Sequence, residues 1–172
     1  DAAAMANVYV NTNMAACGGL VAAMILASLL YGKVDLTLAL NGALAGLVSI
    51  TAGPDVATPL QAILIGAIGG ILCTLAIPLL DKLKIDDVVG AISVHLVAGI
   101  WGTLVVGIPG LNGSGDFMTQ LIGVVVIGVF VTVVSAIVWL VLKAVTGLRP
   151  SEEEEMTGLD VSELGMEAYP EF

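Results

Sequence analysis

Five long stretches without a charged residue limit what this chain can fold into. They cover residues 2–32, 36–54, 56–80, 88–115 and 117–142. The stretches hold 31, 19, 25, 28 and 26 residues, and a helix that crosses a membrane needs about 20 predominantly apolar residues. The sequence therefore predicts an all-α, polytopic membrane helix bundle of five transmembrane helices, near residues 8–31, 36–53, 58–80, 88–108 and 118–142.

The basic residues predict the orientation of this bundle. Lys33 follows the first span, Lys82 and Lys84 follow the third, and Lys143 and Arg149 follow the fifth. These three places lie on one side of the membrane if all five spans cross it, and Lys and Arg concentrate in cytoplasmic loops. We therefore expect a multi-pass protein of the cell membrane with its N-terminus outside and its C-terminus in the cytoplasm.

The acidic residues divide the chain into two regions. The net charge is −10, and residues 143–172 hold 8 of the 15 acids. We interpret residues 1–146 as the transmembrane bundle and residues 147–172 as an acidic cytoplasmic tail. Taken alone, a run of acids is typical of a solvated or disordered segment. The acidic balance argues against binding to nucleic acid, because phosphates are neutralised by Lys and Arg.

Small residues recur at four-residue intervals within the predicted spans. Gly42 and Gly46 form one pair, and Gly66 and Gly70 form another. Such rows let helix backbones approach closely, which drives packing between helices in lipid. The rows favour a tight bundle over a set of independent anchors.

His95 is the single histidine, and it lies inside the fourth predicted span. An ionisable side chain at membrane depth is costly unless it faces a partner or a water-filled path. Imidazole donates at one ring nitrogen and accepts at the other near neutral pH, which suits a proton relay or a small polar solute. The alternative is a structural His bonded to a neighbouring helix. With one His and two Cys in apolar runs, the sequence predicts no metal site, no cofactor and no enzyme chemistry.

Several stretches resemble one family of membrane proteins, the ammonium transporters (Amt/Mep/Rh). The stretch LDKLKIDDVVGAISVHLVAGIWGTLVVGI, residues 80–108, is similar to the family's penultimate transmembrane region. The same holds in order for residues 7–16, NVYVNTNMAA, and residues 41–72, NGALAGLVSITAGPDVATPLQAILIGAIGGIL. Residues 147–172, GLRPSEEEEMTGLDVSELGMEAYPEF, resemble the family's cytoplasmic tail.

The resemblance implies a fold of eleven spans made of two inverted five-helix halves and a final helix, assembled as a homotrimer with one pore per subunit. This chain would supply spans seven to eleven and would need the missing N-terminal portion to enclose a complete pore. The implied substrate is ammonium or ammonia, and the implied setting is nitrogen metabolism. The chain begins with Asp1 rather than Met, and we expect it to be processed, excised or a fragment.

The resemblance also implies roles for residues of the fourth span. His95 matches the second of two pore histidines on the substrate pathway, and Ala91, Ile92 and Gly99 are expected to line that pathway. Asp86 and Asp87 match an acidic pair before the helix. Carboxylates there would favour the positive end of the helix dipole.

In the tail, the resemblance replaces the expectation of disorder with that of an ordered regulatory segment. Such segments pack under the neighbouring subunit and, in many prokaryotes, help to dock PII-type signalling proteins. The residues that match this segment are Gly147, Arg149, Glu152, Gly158, Leu159, Asp160 and Tyr169.

The residues leave two functional hypotheses open. One is ammonium transport, with this chain as the C-terminal portion of the transporter. The other is a non-conducting structural or accessory membrane subunit, or a fragment without function, that keeps the helix packing and the tail.

Overall fold

A computed structural model of the chain describes residues 1–170, and within that range it contains helices and loops but no strand. The predicted all-α fold is confirmed. The last two residues of the predicted tail, 171 and 172, lie outside the described residues. The helices are α1 (Ala2–Tyr31), α2 (Leu36–Ile50), α3 (Pro59–Lys82), a π-helical segment (Ile92–Val97) that continues as α4 (Ala98–Val105), α5 (Phe117–Val145), α6 (Glu152–Thr157) and α7 (Leu159–Leu164).

Three of these helices, α1, α3 and α5, are long and apolar enough to cross a membrane by length and composition. α2 has 15 residues, and the π segment and α4 have 6 and 8, so both helical regions are shorter than the spans predicted at 36–53 and 88–108. α2 ends where a turn leads into Pro54, which lacks a backbone N–H. The fourth region starts late because Gly90 adopts a left-handed φ of 76°, which ends the preceding turn before a helix forms.

Side chains next to the helix ends explain where the helices begin. The Asp35 carboxylate accepts a hydrogen bond from the Leu38 backbone N–H at 2.8 Å, at the N-terminus of α2. At the N-terminus of α3, Thr58 and Gln61 form a reciprocal capping box, with Pro59 as the first helical residue. These side chains bond N–H groups that have no partner inside their own helix.

The chain divides into two compact units, Asp1–Ile127 and the residues from Gly128 onward. In the first unit α1 packs against both α2 and α3, and α4 packs against α2 and α3. In the second unit the remainder of α5 is followed by the short helices α6 and α7. No residue of α5 is buried.

The core of the first unit is made mainly of small residues. The buried face of α1 consists of Asn11, Ala15, Gly18, Gly19, Ala23 and Ala27. A Cβ at Gly66 would overlap the backbone carbonyl of Ala15, and a Cβ at Gly42 would overlap the side chain of Ala23. The helices therefore approach each other at distances that only glycine permits.

Amide side chains fasten the loop between α2 and α3. The Asn11 Nδ2 group donates to the carbonyl oxygens of Pro54, at 2.7 Å, and of Ala57. The Asn112 Nδ2 group donates to the Gly53 carbonyl at 2.9 Å. Two loops of the first unit are thereby bound to each other and to α1 through groups that would otherwise be unpaired.

We predict that Gly66→Ala lowers the free energy of unfolding of the purified chain by about 1–3 kcal/mol, because the added methyl group forces the α1 and α3 backbones apart. Gly123→Ala is the matched control, since a Cβ at Gly123 meets nothing within 4 Å. Reversible denaturant unfolding in detergent micelles measures both variants. Equal destabilisation by the two substitutions would contradict the close-approach argument.

Candidate functional site

His95 lies in the π-helical segment of the fourth helical region and is exposed in this chain. A π-helix bonds residues five apart, is rare, and occurs mostly as a single-turn bulge inside an α-helix, frequently at a functional site. Val94 and Ser93 on the same segment are buried, so the segment packs one side against the bundle and leaves the imidazole on the other.

The imidazole borders a cavity of about 410 Å³ between α2 and α4. The cavity is also lined by Val48, Thr51, Ala52, Gly99, Gly102 and Thr103. These side chains are small or apolar, with two hydroxyl groups. The Thr51 and Thr103 hydroxyls donate to carbonyls of their own helices, which leaves their oxygen lone pairs as acceptors. The imidazole is the one group of the lining that can both donate and accept through nitrogen.

The Asp87 carboxylate holds the start of the π segment. Its Oδ1 atom accepts from the Ile92 N–H at 2.9 Å, and its Oδ2 atom accepts from the Ser93 N–H at 3.0 Å and the Ser93 hydroxyl at 2.8 Å. Burial by itself raises the pKa of this carboxyl, but the hydrogen bonds from Ile92, Ser93 and Ala91 outweigh it and leave the pKa below its ordinary value of 3.8. Asp87 is therefore ionised at neutral pH and satisfies the N–H groups of Ile92 and Ser93, which lie three and two residues before His95.

Only some of the other residues expected at the site lie beside His95. Gly99 borders the cavity with His95, whereas Ala91 and Ile92 are not among its lining residues. Asp86 is exposed, and within residues 1–170 its side chain makes no hydrogen bond. The structure thus brings His95 and Gly99 to one cavity. Of the two neighbouring acids, Asp87 bonds the start of the π segment and Asp86 does not.

Sequence reasoning missed the side of this cavity that α2 supplies. Val48, Thr51 and Ala52 lie more than forty residues before His95 in the sequence, and no spacing rule connects them. The small residues of α2 gave a partial signal, because a helix with such a face is expected to pack closely against a neighbour. They did not indicate which neighbour.

The tail residues form a short folded segment of their own. Ser151 and Glu154 build a reciprocal capping box at the N-terminus of α6, and Glu152 lies in its first turn. Arg149 and Glu155 form an ion pair at 2.7 Å. Gly147 adopts a left-handed φ of 77°, which lets the chain turn between α5 and α6.

Asp160 accepts hydrogen bonds from two backbone N–H groups in the second part of the tail. Its Oδ2 atom accepts from the Ala168 N–H at 2.9 Å, and its Oδ1 atom accepts from the Val161 N–H at 3.0 Å. These hydrogen bonds lower the pKa of the Asp160 carboxyl. Gly158, with a φ of 99°, separates α6 from α7, which begins at Leu159. Tyr169 is exposed beyond α7.

Within residues 1–170 no group of three or more His, Cys, Asp or Glu side chains is arranged to hold a metal ion. The site around His95 offers one imidazole, small neighbours and a carboxylate that organises the backbone.

Comparison with known proteins gives a consistent result. The sequence profile described as "Ammonium Transporter Family" matches residues 1–169. The chain is 39% identical to the ammonium transporter Amt2 of Archaeoglobus fulgidus, with 94% of this chain and 38% of that protein covered. It is also 39% identical to the ammonium transporter Amt1 of Haloferax mediterranei, with 99% of this chain and 34% of that protein covered.

Solved structures agree with these sequence relatives. A structure titled "Sensor Amt Protein" superimposes with a TM-score of 0.86 at 36% identity, covering 93% of this chain and 42% of that one. The Mep2 structure of Saccharomyces cerevisiae superimposes with a TM-score of 0.78 at 28% identity, covering 96% and 42%. The chain thus spans about a third to two fifths of the length of these proteins.

We predict that Asp87→Ala lowers the free energy of unfolding by about 0.5–2 kcal/mol, the usual cost of losing a helix cap, and that Asp86→Ala does not. Because the pKa of Asp87 is lowered by folding, its contribution is present above the ordinary pKa of 3.8 and is lost as the pH falls further. Denaturant unfolding across that pH range checks both points. The difference between the wild type and Asp87→Ala should shrink at the acidic end. A constant difference would contradict the carboxylate's role.

Proposed function

The chain belongs to the Ammonium Transporter Family, and from this premise we propose that it takes part in moving ammonium or ammonia across the cell membrane. The family is one of membrane transporters rather than enzymes, and the chain is a multi-pass membrane protein. We assign it the part of the transporter that corresponds to spans seven to eleven. The single observation that carries the proposal is His95, which lies in a π-helical segment and borders a cavity of about 410 Å³.

The chemistry of that cavity suits ammonia. The imidazole can accept a hydrogen bond from ammonium or donate one to ammonia, and it can pass a proton between its two nitrogens. Gly99, which borders the cavity with His95, leaves room for a small solute, since a Cβ there would meet nothing closer than Val48 at 3.7 Å. In this proposal Asp87 is not a substrate ligand. It fixes the backbone from which His95 projects, while Ala91 and Ile92 line the pathway further along.

The distribution of basic residues supports the proposed topology, with the N-terminus outside and the C-terminus in the cytoplasm. Lys33 and Asp35, which follow α1, border the same cavity as Asp81 near the end of α3 and Asp87 beyond it. The loops that follow the first and third spans share this cavity, and their position at one end of the first unit supports the proposal that both face the cytoplasm.

We include three further parts in this proposal. The protein acts as a homotrimer, residues 147–172 form a regulatory tail, and a PII-type signalling protein docks at that tail. The capping box at Ser151 and the hydrogen bonds of Asp160 support an ordered tail. The exposed face of His95 supports the need for the N-terminal portion of the transporter, because a pathway needs walls on all sides.

The same exposed face favours the alternative hypothesis for the chain alone. Ala91, His95 and Leu96 are all exposed, so these helices by themselves leave the imidazole open on one side. A chain in this state is a structural or accessory membrane subunit and conducts nothing until the other wall is supplied.

We predict that vesicles containing this chain alone show no saturable uptake of methylammonium, and that co-expression of a segment equivalent to the family's first six spans restores uptake. His95→Ala should then change uptake by about tenfold or more, as expected for a group that handles protons. Leu96→Ala is the matched control, since Leu96 is the exposed neighbour of His95. Saturable uptake by the chain alone would refute the need for a second wall. An unchanged rate in His95→Ala would assign His95 a packing role.

A second prediction concerns the tail. Asp160→Ala should make residues after α6 more sensitive to limited proteolysis, by about two- to tenfold in rate, because the two backbone N–H groups lose their acceptor. Glu163→Ala on the same helix is the control, since within residues 1–170 its side chain makes no hydrogen bond. Binding of a purified PII-type protein should weaken in Asp160→Ala alone. Equal rates of cleavage in the wild type, Asp160→Ala and Glu163→Ala would contradict an ordered tail.

A further inference from the structure

The Asn11 side chain, which fastens the loop of residues 53–57 between α2 and α3, holds a buried oxygen atom without a partner. Within residues 1–170 its Oδ1 atom is the buried side-chain atom that makes no hydrogen bond, and the residue is 0% exposed. The Nδ2 group of the same amide donates to the Pro54 and Ala57 carbonyls, so turning the amide over would set oxygen against oxygen. A buried acceptor without a partner loses its bonds to water and gains nothing in return. The closed position of this loop therefore leaves one acceptor unpaired.

The other bonds that hold the loop also come from side-chain amides. Asn7 Nδ2 donates to the Asp55 carbonyl at 3.0 Å, and Asn112 Nδ2 donates to the Gly53 carbonyl at 2.9 Å. Together with the two bonds from Asn11, amide groups thus reach the carbonyls of four of the five loop residues. None of these bonds belongs to the backbone ladder of a helix, so that breaking them unwinds no helix. Local opening of the loop therefore costs less than opening the helices that it joins.

The loop begins beside the His95 cavity. Thr51 and Ala52, which directly precede the loop, both line that cavity. The Thr51 hydroxyl is bonded to the Leu47 carbonyl of α2, whereas Ala52 lies beyond the helix in the turn that leads into the loop. A loop that lifts away from α1 therefore moves one residue of the cavity wall with it.

We propose that residues 53–57 form a strap that opens and closes at this end of the first unit, held shut by the Asn7 and Asn11 amides. Opening breaks the bonds from the Asn11 Nδ2 group, but it brings the unpaired Oδ1 atom to water, which offsets part of that loss. Asp55 and Val56 are exposed in the closed strap already. The Ala57 side chain, which is 3% exposed, adds only one methyl group to the apolar surface that opening brings into water.

This inference goes beyond transport, and it rests on the proposed function only in treating the His95 cavity as a pathway. The strap lies at the outer end of the bundle in the proposed topology, where its position would set the width of that pathway at Ala52. The opening itself is a property of the chain and is measured without transport.

The test follows hydrogen exchange of the purified full chain in detergent micelles, residue by residue, by NMR. Gly53 and Ala57 are the buried residues of the strap, and their N–H groups report its opening. We expect both to exchange through a local opening whose rate does not respond to low concentrations of urea, because little surface is exposed. The N–H groups of α1 and α3 should exchange more slowly and respond to urea, since they open only when the first unit unfolds.

Substitutions on α1 separate the strap from the rest of the bundle. Asn11→Ala should speed exchange at the two reporting positions by about tenfold, because two hydrogen bonds to the strap are lost, and Asn7→Ala by about threefold, because one is lost. Asn13→Ala is the matched control, since the Asn13 amide bonds the Tyr9 carbonyl of its own helix, and exchange in the strap should stay unchanged.

Exchange of the Gly53 and Ala57 N–H groups only by global unfolding would overturn the strap, and so would exchange at the rate of an unstructured peptide. Equal rates in the wild type, Asn7→Ala and Asn11→Ala would overturn it as well. If Asn11→Ala does not fold, the wild type and Asn7→Ala decide between these outcomes. Absence of uptake in the transport assay with the opening retained would leave the strap standing and count against the transport proposal alone.

Discussion

Backbone-to-backbone contact among α1, α2 and α3 is the constraint on which the first unit depends. Gly19 lies against Gly42 and Gly70, and Gly66 lies against Ala15, so closely that a methyl group at any of these glycines would overlap main-chain or Cβ atoms. Lipid tails are as apolar as the side chains of these helices, so the hydrophobic effect does not drive the helices together. Van der Waals contact between close backbones has to stabilise such a bundle instead. The large apolar side chains are accordingly free to point outward.

That arrangement also explains why His95 is exposed while its neighbours are buried. Val94, Ala98 and Gly102 form the buried row of the fourth helical region, and Gly102 approaches the backbone of Ser49 too closely for a Cβ. With this row fixed against α2, the next position around the helix has to face away from the bundle. The π segment changes the rotation per residue just there, and the Asp87 carboxylate bonds the N–H groups that its first turn leaves unpaired.

Much of the fold could be predicted from the sequence, because the signals are local. The charges at Lys33, Asp55 and Asp116 interrupt the apolar stretches and mark helix ends within a few residues. The row through Gly66 and Gly70 is buried as its spacing indicates. The π segment escaped prediction, since one inserted residue leaves apolar composition unchanged. The cavity lining from α2 escaped as well, because contacts between helices depend on geometry rather than spacing. The numbering of the spans and the role of His95 stay predictions.

Acidic and basic residues have different structural roles in this chain. Asp1, Asp35, Asp87 and Asp116 each accept hydrogen bonds from the backbone at the start of a helix. Helices in an up-and-down bundle begin alternately at the two membrane faces, so carboxylates that cap them are needed on both faces and carry no information about orientation. Lys and Arg do not cap helix N-termini, so their positions reflect only the preference of basic residues for the cytoplasmic side. This explains why the bases alone predict the topology in a chain with three times as many acids.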